Sequence, residues 1–441
     1  MKTILQKILA ILASATIRKY KPIVIGITGS VGKTSTKEAI FTVLKTKYRV
    51  RQSEKNYNNE IGVPLTILGM PNYGKNIFGW KWGIFVSCLR LIVPNRSYPE
   101  VLVLEMGTDR PGDIKYLASI APPSVAVITA IGEIPAHVEF FAGPLEVAQE
   151  KSELFKALPS DGYALYNADD ESLLEVKDVT RARKLSFGFD EHADIRISNY
   201  ELRIIEKSGE DYPDGISFKI SNDGNVVPMR IHGAFGTPNA YAASAATAVG
   251  KLLNMNLVEI SQALESYKSP PGRTRLLHGI KGSLIIDDTY NASPESMNSA
   301  LDLLEKMPAM RRIAVLGDML EIGKYTEEAH RSVGDRVAQL ANILFTVGAR
   351  AKYIADEANT RGVEGKARRL ETEDIFVFDV PMEAGQALDP MLKHGDVVLV
   401  KGSEGMRMEK VVEEIMAEPE KAQELLVRQN EEWKRRLFSK A

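Results

Sequence analysis

Residues 28–36 read Thr-Gly-Ser-Val-Gly-Lys-Thr-Ser-Thr, and residues of these types at this spacing suit phosphate. Gly29 and Gly32 permit a tight turn. The turn joins an apolar run, "KPIVIGITG", to a helix-like run, "KTSTKEAIFTVLKTKY". A strand, a turn and a helix start in that order aim backbone N–H groups and the positive end of a helix dipole at one point. Lys33 then reaches the β- and γ-phosphates of a nucleotide, and the Thr34 hydroxyl suits Mg²⁺. Gly29, Ser30, Gly32, Lys33, Thr34 and Ser35 form the expected binding set, with ATP as the ligand. The common spacing G-x-x-x-x-G-K-[ST] would need glycine at position 27, where this chain has Ile27. A second chemical candidate is Glu105, which ends the apolar run "VLVLE" where open α/β sheets place ligands.

The elements that must hold these residues alternate. "EVLVLEMG", "PSVAVITAI" and "GYALYNADD" read as strands separated by helical patterns such as "PLEVAQEKSELFKAL". That alternation predicts an α/β fold with a parallel, doubly wound sheet. Residues 193–232 alternate apolar with polar between Gly and Asp turns, which predicts a small antiparallel sheet. "NAYAASAATAVGKLLN" follows as a helix. "YKSPPGRTRL", residues 267–276, reads as a linker, because Pro-Pro-Gly cannot continue a helix. Beyond it "SLIIDD", "RRIAVLGD", "ANILFTVG", "DIFVFDV" and "DVVLVKGS" predict a second, Rossmann-like α/β domain. The charged tail from about Glu418 reads as helical. The expected division is an amphipathic helix at 1–20, a central ATP-binding domain at 21–268 and a C-terminal domain at 269–441.

A chain of 441 residues is too long for one ordinary core. With 56 basic and 58 acidic residues, a net charge of −2 gives no global attraction to nucleic acid. A single cysteine, Cys88, excludes an internal disulfide and a four-cysteine zinc site, and it suits a reducing cytoplasm. In the first twenty residues Ile4, Leu5, Ile8, Leu9, Ile11 and Leu12 fall on one helical face. Such a helix either packs on the domain or lies on a membrane surface. Residues 76–93, "NIFGWKWGIFVSCLRLIV", are interrupted by Lys81 and Arg90 and are too short to span a bilayer. They suit either an interface or a packed core helix.

"TGSVGKTST" resembles the short phosphate loop G-[ST]-x-G-K-[ST]-[ST] of the Mur ligase family, the ATP-dependent amide ligases of cell-wall precursor synthesis. "NYNNEIGVPLTIL" at 56–68, "DDTYNASPESM" at 287–297, "GDMLEIG" at 317–323 and "VLVKGS" at 398–403 resemble the branch that adds D-alanyl-D-alanine. The resemblance covers nearly all of residues 22–410. It implies an ADP-forming acid–amino-acid ligase that makes an acyl phosphate on a UDP-muramyl-peptide-like acceptor; the chain itself is expected to be a monomer. It further implies a pair of Mg²⁺ ions held by Thr34, Glu105, His137 and a carbamate formed by CO₂ on Lys151. Lys33, Lys151, His137 and Arg273 become the catalytic set. Asn167, Asn239 and Asp288 would lie near adenine and ribose, and Arg273 would reach the γ-phosphate. Asn58, Asn59, Tyr290 and Asn291 would line the substrate pockets. Where the family has His-Asn before its adenine helix, this chain has Phe235 and Gly236, and Phe235 would then stack on adenine.

Residues 1–22 are too few for the N-terminal domain with which such ligases grip UDP. The acceptor is then held in a reduced pocket, with a partner chain, or as a different, lipid-linked molecule. Other readings are a folylpolyglutamate-synthetase-like ligase and a non-ligating P-loop ATPase or scaffold. "GDMLEIG" and "DDTYNASP" speak against the first, and intact Lys33, Glu105, His137 and Lys151 against the second.

Overall fold

The computed structural model describes residues 2–54, 57–93, 95–207, 209–360, 370–431 and 433. Asn56, the first residue of the "NYNN" segment, and the end of the charged tail lie outside them. Nine strands form the first sheet: β1 (Ile23–Thr28), β2 (Val50–Gln52), β3 (Val101–Glu105), β4 (Val125–Ile128), β5 (Tyr163–Asn167), β6 (Arg183–Gly188), β7 (Ile195–Lys207), β8 (Glu210–Asn222) and β9 (Asn225–His232). Their order is β2-β3-β1-β4-β5-β6-β7-β8-β9. The parallel part is apolar on both faces, as a sheet covered twice must be. Ile25, Ile27, Val101, Val103 and Val127 pack to one side with the Lys33–Leu44 and Thr237–Leu252 helices. Val24, Leu102, Leu104, Ala126 and Ile128 pack to the other.

The antiparallel strands are not a separate sheet, as the sequence pattern suggested. β7 joins the edge of β6 through Phe187↔Ile195 and Gly188↔Arg196, so one sheet runs through both parts. Hairpins β7–β8 and β8–β9 then continue it in antiparallel sense.

The second sheet comprises β10 (Arg275–His278), β11 (Leu284–Asp288), β12 (Arg311–Gly317), β13 (Ile343–Val347), β14 (Ile375–Phe378) and β15 (Asp396–Lys401), in the order β10-β11-β15-β12-β13-β14. Only β10, which begins within the expected linker, is antiparallel to its neighbour. Ile286, Ala314, Leu316 and Leu399 face one core, and Ile285, Ile313, Val315 and Val400 the other. Val138, Val147 and Phe235 come from the first part of the chain yet pack in the second sheet's core.

The linker is pinned by two adjacent carboxylates. Gly272 N donates to Asp287 Oδ2 at 3.1 Å, and Thr274 N donates to Asp288 Oδ1 at 3.0 Å. Arg273, between them, is thereby fixed at the junction of the sheets. The tail is not one helix. Its described part has a turn at Pro419–Lys421 and a short helix, Ala422–Leu425, before Arg428 goes into the protein. There Arg428 Nη1 pairs with Glu409 Oε2 at 2.8 Å and donates to Thr289 O at 3.1 Å. Helical periodicity would leave such a residue in solvent. A buried carboxylate decides otherwise, because Glu409 must have cationic partners.

The N-terminal helix, Lys2–Tyr20, packs on the domain through Leu9, Leu12, Ala13 and Thr16, while Ile4, Ile8 and Ile11 stay exposed. The apolar arc read as one face spans about 160° of the helix, wide enough to be divided between protein and exterior. The Ile77–Ile92 helix is not a core helix: only Gly83 and Ser87 are buried.

Two outcomes follow from this packing. Leu9→Ala should lower stability by about 2–5 kcal/mol through the cavity it leaves, whereas Ile11→Ala should change it by less than about 0.5 kcal/mol, both read by denaturant unfolding. Burial pushes the Asp287 carboxyl from 3.8 up to about 6, with hydrogen bonds from Thr289 and Gly272 opposing. The folded state therefore holds that proton more tightly than the unfolded chain. Its contribution is complete below 3.8 and lost as pH rises through about 6. Asp287→Asn should remove this slope from the melting temperature while lowering stability at every pH, because its amide NH₂ opposes an N–H donor.

Candidate active site

The loop after β1 is shaped by what lies beside it. Ser30 N donates to Ala130 O at 2.6 Å, and Thr129 Oγ1 donates to Val31 O at 2.5 Å, so the end of β4 supports the turn. Gly29 has φ 144°, and a Cβ there would sit 2.1 Å from Thr129 Oγ1. No other residue type fits. Gly32, at φ 86°, starts the Lys33–Leu44 helix without any side-chain cap. The first N–H groups of that helix are open to an anion.

Two lysines close on one carbonyl. Lys33 Nζ donates to Gly29 O at 2.7 Å, and Lys151 Nζ, from the Pro144–Lys156 helix, donates to the same oxygen at 3.2 Å. Burial lowers the pKa of both amines. For Lys151 it falls well below the usual lysine range, with the Lys33 charge adding to the effect. Asp109 is near enough to raise both in opposition. Across the loop Thr34 Oγ1 donates to Glu105 Oε2 at 3.1 Å, and Asn58 Nδ2 donates to Glu105 Oε1 at 3.2 Å. Glu105 ends β3 in register with Ile27 of β1, at the carboxyl edge of the sheet.

The second sheet presents its own carboxyl edge to this point. Asp288 ends β11 and Lys401 ends β15, paired in register, and Lys401 Nζ lies 2.6 Å from Asp288 Oδ2. The Arg273 guanidinium stacks 3.8 Å over the Tyr290 ring and is close enough to lower the pKa values of Lys33 and Lys401. His137 Nδ1, at φ 68°, meets Glu321 Oε2 across the junction at 2.6 Å. That contact holds the Glu321 carboxyl below its usual range. A cavity of about 420 Å³ lies between the two edges, lined by Asp109, His137 and Arg110 on one side and Asn291, Glu321 and Glu404 on the other. A smaller one of about 120 Å³ holds Lys33, Lys151, Asn58, Asn59 and His137.

Lys33, Thr34, Asn58, Glu105, His137, Lys151, Arg273 and Tyr290 thus surround one cleft. Asn291 lines its far wall and accepts from Glu404 N at 3.3 Å. Other expected residues are occupied. Asn59 Oδ1 takes the N–H groups of Ile61 and Gly62, which starts the Gly62–Leu68 helix. Asn167 accepts from Asp169 N at 3.0 Å. Asn239 is saturated, donating to Phe235 O and Thr274 Oγ1 and accepting from Tyr267 OH, so it ties the linker to its helix. Both Asp288 oxygens have partners, Thr274 N and Lys401. Phe235 is buried at 2% exposure in the second core and offers no face for adenine.

Sequence reading missed Asp109, Lys401 and Glu321. Asp109 stands four residues after Glu105 in a Gly-rich turn, a position that strand-end logic reaches. Glu321 lies in the quoted "GDMLEIG", and its φ of 62° marks a strained bend. Lys401 lies in the quoted "VLVKGS", at the end of its apolar run.

Among buried side-chain atoms that lack a hydrogen-bond partner are Ser30 Oγ and Arg273 Nε, both at this cleft. A buried polar atom without a partner is costly, and an anion between the loop and Arg273 would satisfy both. Thr34 and Glu105 offer adjacent hard oxygen donors that fit one Mg²⁺. No group of three or more His, Cys, Asp or Glu stands ready for a metal ion among the described residues.

Comparison with known proteins agrees with this geometry. The profile of the Mur ligase middle domain matches residues 27–80 and 86–247, and that of the Mur ligase glutamate ligase domain matches 272–404. The UDP-N-acetylmuramoyl-tripeptide–D-alanyl-D-alanine ligase of Bacillus subtilis (strain 168) is 32% identical over 410 residues, 92% of this chain and 79% of that protein. The Escherichia coli (strain K12) enzyme of the same name is 29% identical over 90% of this chain and 78% of its own. The MurF ligase of Thermotoga maritima in complex with ADP superposes with a TM-score of 0.74 at 30% identity, covering 94% of this chain and 84% of that one. With a nucleotide loop, an acidic strand end and two facing α/β sheets, and with both profiles matched across them, the chain belongs to the Mur ligase family of ATP-dependent, ADP-forming ligases.

Proposed function

We propose that this chain joins the amine of D-alanyl-D-alanine to a carboxylate of a UDP-muramyl-peptide-like acceptor, with ATP held between residues 21–268 and 269–441. The observation that carries this is the convergence of Lys33 and Lys151 on Gly29 O, beside Thr34–Glu105 and below Arg273. A carboxylate oxygen of the acceptor attacks the γ-phosphorus, the bond to the β-bridging oxygen breaks, and ADP leaves. The dipeptide nitrogen then attacks the acyl carbon, phosphate departs with its bonding electrons, and the nitrogen gives up a proton. Both steps move negative charge among oxygens, so fixed cations and positioning do most of the work. Lys33 and the open N–H groups of its helix neutralise the terminal phosphates. Arg273, steadied on Tyr290, meets the transferring group from the other side. Asn58 orients Glu105. Asn291 lines the larger cavity, where the amine arrives, and Tyr290 precedes it beneath Arg273.

Lys151 needs a different state from the one an ammonium would give. Two buried cations on one carbonyl repel each other and disfavour a further charge. Burial favours the neutral amine, whose lone pair attacks CO₂ and, on loss of a proton, becomes a carbamate. That anion adds two hard oxygens beside His137, so Lys151 and His137 would hold a second Mg²⁺ while Thr34 and Glu105 hold the first. Bound there, the ions would screen charge on the phosphoryl oxygens. His137 would leave Glu321 to do so.

Lys151→Ala should reduce ligation on the order of 100-fold or more, because a positioned anion is lost from the reacting centre. ADP affinity should change little, and added acetate should restore part of the rate. Full activity in the variant would sink the role. Phosphate release with UDP-muramyl-tripeptide, D-alanyl-D-alanine and ATP, with each omitted in turn and products weighed by mass spectrometry, tests the substrates. Release that requires all three supports the ligase. Release from ATP alone contradicts it.

A further inference from the structure

The Ile77–Ile92 helix turns an apolar stripe outward. Phe78, Trp82, Phe85, Leu89 and Ile92 are all exposed, Phe78 at 82% and Ile92 at 78%. They recur at i, i+4, i+7, i+11 and i+14, one narrow face of a helix. The opposite face is fixed to the domain by small residues: a Cβ on Gly83 would meet Met70 at 2.3 Å, and Ser87 Oγ donates to Met70 Sδ at 3.2 Å. The stripe is therefore held outward by packing. The N-terminal helix lies against this one, with Lys19 Nζ donating to Arg90 O and Leu91 O at 2.9 Å and Tyr20 OH to Arg90 O at 2.7 Å. It leaves Ile4, Ile8 and Ile11 exposed at the same i, i+4, i+7 spacing.

Charge is segregated around these stripes. The chain has a net charge of −2, yet no Asp or Glu occurs before Glu38 or between Ile61 and Pro99. Lys7, Arg18, Lys75, Lys81 and Arg96 are exposed there. The acidic neighbour Glu60 is engaged by Gln6 Nε2 at 2.8 Å. At 16 residues, about 24 Å, the Ile77–Ile92 helix is shorter than a bilayer core, and no described helix is long and apolar enough to cross one. Apolar and aromatic side chains flanked by lysine and arginine, on a helix too short to span, match the interface of an anionic bilayer.

We propose that these two helices form a docking surface for anionic phospholipid, lying in the plane of the membrane with Phe78, Trp82, Phe85 and Ile92 among the acyl chains and Lys75, Lys81 and Arg96 at the headgroups. Glu60, tied to the N-terminal helix, also lines the small cavity with Lys33 and Lys151, so docking places the mouth of the cleft beside the lipid surface.

The test is co-sedimentation of the full chain with vesicles of phosphatidylcholine alone and with about a third phosphatidylglycerol, at low and high salt. The expected result is binding to the anionic vesicles at least tenfold tighter than to the neutral ones, weakened by salt, with tryptophan emission shifted to the blue. The triple variant F78S/W82S/F85S should lose binding to both, and K75E/K81E/R96E should lose the anionic preference. Circular dichroism and ligation in solution should be unchanged in each. Failure to sediment with either vesicle, or equal and salt-independent binding to both, overturns the proposal. So does a concentration-dependent dimer in sedimentation velocity that F78S/W82S/F85S abolishes in a chain that ignores vesicles.

Discussion

Two lysine side chains share one carbonyl oxygen, and most of the cleft is arranged around that fact. Lys33 and Lys151 both reach Gly29 O; Lys151 is buried and Lys33 half-buried. Uncompensated buried charge costs several kcal/mol per ion even after the protein relaxes. The fold answers by lowering the lysine pKa values and by bringing Asp109 and Glu105 near Lys33. What remains is a site whose Lys33, Arg273 and open helix N–H groups suit a triphosphate. The same environment that makes Lys151 costly as a cation makes it available as an amine.

The scaffold exists to hold those positions. Parallel strands β1, β3 and β4 end together, so the loop, Glu105 and Thr129 meet at one edge. Gly29 is forced by Thr129, and Lys33 follows from the helix that Gly32 starts. The second sheet meets this edge with its own strand ends. Arg273 is set by the clamp of Asp287 and Asp288 on the linker, and the tail reinforces it from behind, with Arg428 holding the Thr289 carbonyl. The facing of two carboxyl edges makes the site a property of both sheets, joined across the cleft by the contact between His137 and Glu321.

What the sequence revealed was whatever local pattern determines. The phosphate loop, the strands at 101–105 and 125–128, and the acidic strand end at Glu105 follow from short-range rules about turns, apolar runs and strand ends. The nine-stranded sheet did not, because two ladder pairs at Phe187 and Gly188 decide whether the hairpins stand alone. Asn239 looked like a ligand contact and proves saturated within the protein, since only tertiary structure brings Tyr267 and Thr274 to it. Phe235 was read as free to stack and is buried in the core of the second sheet. In the N-terminal helix the apolar residues were all visible. The division between Leu9, which is buried, and Ile11, which is not, depends on which neighbour covers the arc.

The central proposal is that burial lowers the Lys151 pKa so that its amine can take up CO₂ and become an anion. ¹³C NMR of the intact protein under ¹³C-labelled bicarbonate tests this directly. The account predicts a carbamate resonance in the wild-type chain that strengthens with Mg²⁺ and is absent from Lys151→Ala. A spectrum with no such resonance, or with one that survives the substitution unchanged, would contradict it.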